Sequence, residues 1–550
     1  MFKVKPVRVE SITASASAFL LIGFNAPLWH HLYQVAGAHG AGTLSSLVLG
    51  LMIACAFNIF LTLLAFPKVL KPVLIALFMI SAGVSYFMSR YGVLIDVGML
   101  RNVMETNVAE VRDLLSPLFF FYTIALGVLP SLLLYKTPVH YRRFKGALIS
   151  KTLACVGSAT LIAALALFNY QGLSSLFRNH HELRLMVIPS NYIGASISYL
   201  SEQMATARAP FLPIAEDAVR TTQAALPSRK SLTVLVVGES ARAENFGVLG
   251  YPRNTTPQLS SERGLIAYTN VHSCGTETAV SVPCMFSDMG RKGYSAATAK
   301  RQEGLLDVLK RAGLNVIWWD NQSGCKGTCD RVTQVNISQS QQPGLCADRE
   351  CRDEVLLEGL QHLIDTLDRD TVLVLHQMGS HGPDYFKRYP PAFEAFAPVC
   401  KSNALDQCGR DSIVNAYDNT VLYTDHVLAQ LIDTLRSHQA QVDTAMIYLS
   451  DHGESLGEYN LFLHGTPYVL APEQQTHIPM LAWFSDTYQR SFALDTTCLQ
   501  AARDTSLSHD NLFHSMLGLL SVQTQTYRPS LDIFAGCRKL PTADRLAGKA

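Results

Sequence analysis

The sequence predicts an α-helical membrane domain of five spans, followed by an α/β domain with a mostly parallel central sheet. Three observations carry this expectation. Five apolar runs of about 20 residues, each long enough to cross a bilayer as a helix, fill the first third of the chain. Beyond residue 230, short apolar strands alternate with segments of helical period. Three of those strands stop directly on metal-ligand residue types: 232–238 runs into Glu239, 372–375 into His376 and His381, and 446–450 into Asp451 and His452. Strands apolar on both faces belong to parallel sheets, whose ligand crevice lies beyond the strands' carboxyl ends.

The apolar runs are 12–32, 44–66, 70–88, 117–135 and 149–168. Charged residues make up 16% of the chain against a globular norm of about 25%, and the deficit is concentrated in these runs. The first run has no small-residue cleavage site and reads as a retained anchor. Lys3, Lys5 and Arg8 precede it, whereas 30–45 contains no Lys or Arg. Lys68 and Lys71 follow the second run, and Lys136, Arg142, Arg143, Lys145 and Lys151 surround the junction of the fourth and fifth. The positive-inside rule then places the N-terminus in the cytoplasm and everything after the fifth span outside. No Asp, Glu, Lys or Arg lies in the central part of a span, which argues against a transporter. A net charge of +1 without a basic, aromatic-laced patch argues against nucleic-acid binding.

Four regions follow from this pattern: 1–168 in the membrane, a linker over 169–229, an α/β domain over 230–541 and a frayed tail over 542–550. Within the linker, 193–207 reads as an amphipathic helix at the membrane surface. In the α/β domain the expected helices are 304–312, 353–367 and 412–435, and the expected strands 232–238, 314–319, 371–375 and 444–450.

Cysteine usage agrees with an exported domain. Cys55 and Cys155 lie in spans and read as free and buried, while the other ten all follow the last span. Pairing by proximity gives Cys274–Cys284, Cys325–Cys329, Cys346–Cys351, Cys400–Cys408 and, as the remainder, Cys498–Cys537.

The residues after the strands carry the chemistry. A lone Glu239 after Val-Leu-Val-Val-Gly is equally a helix cap. Asp451-His452-Gly453-Glu454 is harder to explain without a metal, because buried charges need partners or cations. His464, His376 and His381 add imidazoles, and mixed oxygen and nitrogen ligands suit zinc. Within the segment 273–284, the expected Cys274–Cys284 bridge encloses three hydroxyls, Thr276, Thr278 and Ser281. A hydroxyl next to a divalent cation loses its proton more readily and can attack to form a covalent intermediate. Spacing does not choose among the three.

Five stretches, VVGESARAENFGVLGYPRNTTP, SCGTETAVSVPCMFS, DNQSGCKGTCD, LHQMGSHGPDYFKRYP and LSDHGESLGE, together with the preceding spans, resemble the lipid A phosphoethanolamine transferases. That family includes the mobile colistin-resistance enzymes and belongs to the alkaline phosphatase/sulfatase superfamily. The resemblance runs essentially end to end and implies an alkaline-phosphatase-like catalytic domain in the periplasm of a multi-pass inner-membrane protein. It makes Thr278 the nucleophile, with Glu239, Asp451 and His452 around one tightly held Zn2+. His381 and His464 fall at a second, weaker metal or at the substrate phosphate, as catalytic residues. Gln322, Ser323, Lys326, His376 and Glu454 become contacts to the phosphoethanolamine headgroup, although Gln322 stands where some relatives have Asn. Asn102, Thr106 and Glu110 match positions near the lipid substrate, and their spacing would line one face of a helix. The implied reaction moves phosphoethanolamine from phosphatidylethanolamine to a lipid A phosphate, in a monomer. It lowers surface negative charge and weakens attraction to polymyxins. A core-sugar acceptor, or a phosphodiesterase or phosphatase of the same superfamily, is the alternative. A sulfatase needs Arg after its Cys/Ser-x-Pro-x nucleophile, and Ser281-Val282-Pro283-Cys284 is followed by Met285.

Overall fold

The computed structural model describes residues 6–36, 41–106, 111–112, 114–180, 182–208, 210–221, 229–337, 342–347 and 350–538. Glu110 and the expected tail 542–550 therefore lie outside the described residues. The chain forms two compact units, one of Met1–Leu100 with Leu115–Ser198 and one of Arg101–Leu114 with Tyr199–Ala550.

Among the described residues of the first unit, four unbent helices are long and apolar enough to cross a membrane. A fifth candidate is a helix pair, α1 (Val9–Phe24) and α2 (Ala26–Ala36), bent by 65°. The unbent ones are α3 (Ala41–Leu63), α4 (Leu70–Tyr91), α5 (117–136, with a π-helical stretch Thr123–Val128) and α6 (Phe144–Phe168). The first expected span is thus not one continuous helix. Pro27 cannot donate a backbone hydrogen bond across the break. Asn25 stabilises the bend by donating to the carbonyls of Leu20 and Ile188, both at 2.8 Å, and by accepting from the Ile188 amide. Helix α6 exposes Leu148, Ile149, Leu153 and Val156, an apolar surface that suits lipid rather than water. Cys55 is buried and unbridged, and Cys155 is half-buried rather than buried.

The second unit is built on a seven-stranded sheet. Its strands are β1 (Lys230–Gly238), β2 (Ile266–Tyr268), β3 (Asn315–Asp320), β4 (Thr333–Asn336), β5 (Thr371–His376), β6 (Val442–Ser450) and β7 (Met480–Phe484). Their order is β2-β7-β6-β1-β5-β3-β4. The run from β6 to β4 is parallel throughout, and only β7 runs antiparallel to its two neighbours. Strand β1 sits at the centre, and all its residues except Lys230 are buried, as its unbroken apolar run requires. One face packs on a core that includes Leu235, Phe286, Trp318, Val374 and Ile447. Helix α7 (Thr278–Met285) and the 28-residue helix α8 (Arg410–Ser437) complete the elements that matter for the site.

Two helices differ from the sequence reading. The expected helix 353–367 is broken at Gly359, whose φ of +79° leaves a 3-10 turn, Asp353–Leu357, and a short helix, Leu360–Asp365. The helix expected to carry Asn102, Thr106 and Glu110 on one face ends at Glu105, and the Thr106 hydroxyl turns back to donate to the Asn102 carbonyl at 2.6 Å. The linker helix runs over Ser190–Arg208. Four disulfides join near neighbours, Cys274–Cys284, Cys325–Cys329, Cys346–Cys351 and Cys400–Cys408, and the fifth joins the remaining pair, Cys498–Cys537.

Candidate active site

Register in the parallel sheet brings the residues expected as ligands level. Ser450 pairs with Gly238, so Asp451 and Glu239 leave adjacent strands side by side. His376 pairs with Val237 on one side and with Asp320 on the other. The Asp451 amide donates to the Gly238 carbonyl at 2.9 Å, tying the two strand ends together. Behind Glu239 the loop after β5 closes tightly: the Ser380 amide donates to the Glu239 carbonyl, and Gly379 lies against Glu239 with φ +53°. A Cβ on Gly379 would stand 2.6 Å from the Glu239 carbonyl oxygen, so only glycine lets the two backbones approach. Asp353 holds that loop by accepting from the amides of Met378 and Gly379 and from Asn321, each at 2.8 Å.

Thr278 opens helix α7, where unsatisfied amides and the helix dipole favour an anionic oxygen. Its Oγ1 lies 3.1 Å from Glu239 Oε2 and 3.4 Å from His452 Nε2. His452 Nε2 is 3.4 Å from Glu239 Oε1 and 3.3 Å from Asp451 Oδ2. The other two hydroxyls inside the Cys274–Cys284 bridge are committed elsewhere. Thr276 donates to the Thr466 carbonyl, and Ser281 accepts from the Gly275 amide. Among the three, Thr278 is the one that faces the ligand residues.

These four side chains fit a divalent cation. All are buried, and Asp451 Oδ2 accepts no hydrogen bond among the described residues. One imidazole N–H cannot serve three oxygens, and the separations around Nε2 exceed those of a good N–H···O bond. They match the spacing of about 3.3 Å that ligands about 2.05 Å from a tetrahedral centre keep between themselves. The electrostatics agree. Burial pushes Asp451 up to about 6, reinforced by the neighbouring Glu239 charge. His452 is disfavoured as a cation by burial, yet the Asp451 and Glu239 carboxylates lift it to about 10. Burial also raises Glu239, but His452 outweighs it and leaves that carboxyl well below its ordinary range. An imidazolium thus supplies the positive charge that two buried carboxylates demand, a charge a metal ion would supply better.

A second group adjoins the first. His464 Nδ1 donates to Glu454 Oε2 at 2.8 Å, and Tyr385 donates to Glu454 Oε1 at 2.7 Å. The His464 ring lies 4.5 Å from that of His452 and 5.5 Å from that of His381. His452, Glu454 and His464 also converge closely enough to share an ion. Burial drives His381 down to about 3, and its Nδ1 has no hydrogen-bond partner among the described residues.

The remaining expected site residues divide. Gln322 donates from Nε2 to Glu239 Oε2 at 2.8 Å, the same carboxylate oxygen that Thr278 faces. His376 is fixed by Asp320 through Nδ1 at 2.8 Å, while its buried Nε2 has no hydrogen-bond partner among the described residues. Lys326 donates to Ser323 Oγ at 2.7 Å and to the Glu105 carbonyl at 3.3 Å, placing both residues beside the end of the helix that carries Asn102. Sequence reasoning missed Asp320, Asp353, Tyr385 and Tyr417. Asp320 had a visible signal, an acid ending an apolar strand like Glu239 and Asp451. Asp353 sits in what reads as a helix start, and Tyr417, which donates to the Ser240 carbonyl at 2.7 Å, lies on a helix distant in sequence.

The comparisons with known proteins agree with this architecture. The family described as phosphoethanolamine transferase EptA/EptB matches residues 53–204, and the sulfatase family matches 231–522. The chain is 44% identical over 486 residues to phosphoethanolamine transferase EptA of Salmonella typhimurium (strain LT2), covering 88% of each chain. It is 41% identical to the phosphatidylethanolamine transferase Mcr-2 of Escherichia coli, over 85% of this chain and 87% of the relative. The integral membrane lipooligosaccharide phosphoethanolamine transferase A of Neisseria meningitidis superposes with a TM-score of 0.93 at 35% identity, covering 96% of this chain and 99% of that one. The chain therefore belongs to the EptA/EptB family of phosphoethanolamine transferases.

Proposed function

We propose that the chain transfers phosphoethanolamine from phosphatidylethanolamine to a phosphate of lipid A, through an adduct on Thr278, on the periplasmic side of a bacterial inner membrane. The observation that carries this reading is one hydroxyl, at a helix N-terminus, within 3.1–3.4 Å of buried carboxylate and imidazole ligands. The Mcr-2 relative is named for a phosphatidylethanolamine donor, which supports that lipid as the source.

Glu239, Thr278, Asp451 and His452 would hold zinc, which when bound acidifies the threonine hydroxyl and offsets phosphoryl charge. Thr278 Oγ1, its hydroxyl proton released to solvent, attacks the phosphorus of the donor, the bond from phosphorus to the glyceride oxygen breaks, and diacylglycerol leaves. His464, oriented by Glu454, which favours its protonated form against the cost of burial, delivers the proton to that oxygen, and His381, which burial keeps neutral, is assigned to the substrate phosphate. A lipid A phosphate oxygen then attacks the same phosphorus, and the phosphorus–Oγ1 bond breaks to restore Thr278. Lys326, Ser323 and His376 are assigned to the headgroup, with Asn102 and Thr106 toward the lipid. Gln322 acts chiefly by fixing Glu239. The added ammonium lowers the acceptor's net negative charge and with it the attraction of cationic peptides such as polymyxins.

Mass spectrometry of lipid A from cells expressing the chain should show a gain of phosphoethanolamine that Thr278→Ala abolishes. Unmodified lipid A with a modified core sugar would reassign the acceptor. Diacylglycerol release without any modified acceptor would make the chain a phosphodiesterase.

A further inference from the structure

We propose that His31, His180 and Glu182 form a metal site of their own, taking a divalent cation of the zinc type, in the membrane-spanning unit. His31 lies in α2, the second half of the bent pair, and the other two follow the helix Tyr170–Asn179. Although His31 and Glu182 are 151 residues apart, His31 Nε2 and His180 Nδ1 each approach Glu182 Oε1 to 3.0 Å. The three ligand atoms all lie within 4.8 Å of one another. The two rings meet at 78° with centroids 5.8 Å apart, so they approach the carboxylate from different directions, as ligands around an ion do, rather than stacking.

The arrangement is held by the surrounding packing. Leu183, next to Glu182 and only 1% exposed, packs in one apolar cluster with Leu28 and Leu32 of α2. The His180 amide donates to the Leu176 carbonyl at 2.9 Å, and the Leu183 amide to the His180 carbonyl at 3.3 Å. The side chains of His31, His180 and Glu182 retain 26%, 28% and 19% of their exposure, sheltered yet open enough for an ion to enter. Two imidazoles and one carboxylate give a borderline set with positions left for water, a donor combination that suits zinc better than calcium or magnesium. On the charge distribution of the loops, this turn faces the metal-accessible outer side, since no Lys or Arg occurs in 30–45. A bound ion would cross-link the segment after α6 to the bent half of the first span.

The test uses the full chain in detergent, equilibrated with zinc and freed of excess by dialysis, with metal content measured by mass spectrometry. The wild type should hold one more equivalent than Glu182→Gln, which keeps size and hydrogen-bonding capacity, and than the double variant His31→Asn with His180→Asn. Glu239→Gln should lose its own equivalent and keep this one. Zinc should raise the Tm of Glu239→Gln but not that of Glu239→Gln combined with Glu182→Gln. Equal zinc in the wild type and Glu182→Gln, or loss of all bound zinc in Glu239→Gln, would overturn the proposal.

Discussion

Replacing Gln322 by alanine separates two roles that the residue can play. Its Nε2 donates to Glu239 Oε2 at 2.8 Å, and Glu239 is 0% exposed, so no water replaces a lost donor easily. A hydrogen bond to a charged group contributes about 1.5–3 kcal/mol, and removing an outer partner of a metal ligand weakens metal affinity about 10–100-fold. At room temperature that loss corresponds to about 1.4–2.8 kcal/mol, so the two scales agree. The Gln322→Ala variant should therefore show a zinc dissociation constant about 10–100 times higher, read by competition against a chromophoric chelator. Turnover with a fluorescent phosphatidylethanolamine should recover most of its rate when zinc is raised to saturation. Unchanged zinc affinity together with turnover that saturating zinc fails to restore would refute the argument and return Gln322 to the headgroup.

Three further outcomes follow from the same geometry. Gly379→Ala puts a Cβ 2.6 Å from the Glu239 carbonyl oxygen at a φ of +53°; it should lower stability by about 1–3 kcal/mol or more and weaken zinc binding, read by denaturant unfolding and metal titration. His509 donates from Nε2 to the Ser450 carbonyl and accepts the Cys274 amide at Nδ1, and burial holds it at about 4. Because the unfolded chain takes up a proton near pH 6.5 that the folded chain refuses, its contribution is present above that pH and is lost as pH falls toward 4. The stability difference between the wild type and His509→Asn should shrink by about 3 kcal/mol across that window, and a pH-independent difference would contradict it. Thr278→Ala should reduce turnover by at least about 10⁴-fold while the fold, read by circular dichroism, stays near wild type, since a nucleophile's loss exceeds that of other site residues.

The parts legible in the sequence were those decided by local pattern. Apolar runs ending on acids and imidazoles marked strand ends because parallel register brings adjacent carboxyl ends level, as Gly238 and Ser450 show. The disulfides were legible because each partner lies close in the chain, apart from the pair left over. What stayed hidden depends on partners remote in sequence. The bend at Asn25 is completed by Ile188, and nothing near residue 25 announces that contact. Asp353 reads as a helix residue until Met378 and Gly379 donate to it. Gly359 breaks a segment whose apolar spacing is otherwise helical. The choice of Thr278 over Thr276 and Ser281 came from resemblance alone. Its geometric basis is that the other two hydroxyls are spent on Thr466 and Gly275.

The central claim is tested most directly by exposing the purified chain to phosphatidylethanolamine without acceptor and sequencing its peptides by mass spectrometry. The account predicts one phosphoethanolamine on Thr278, discharged when lipid A is added. An adduct on Thr276 or Ser281, or sustained transfer by a Thr278→Ala chain, would contradict it.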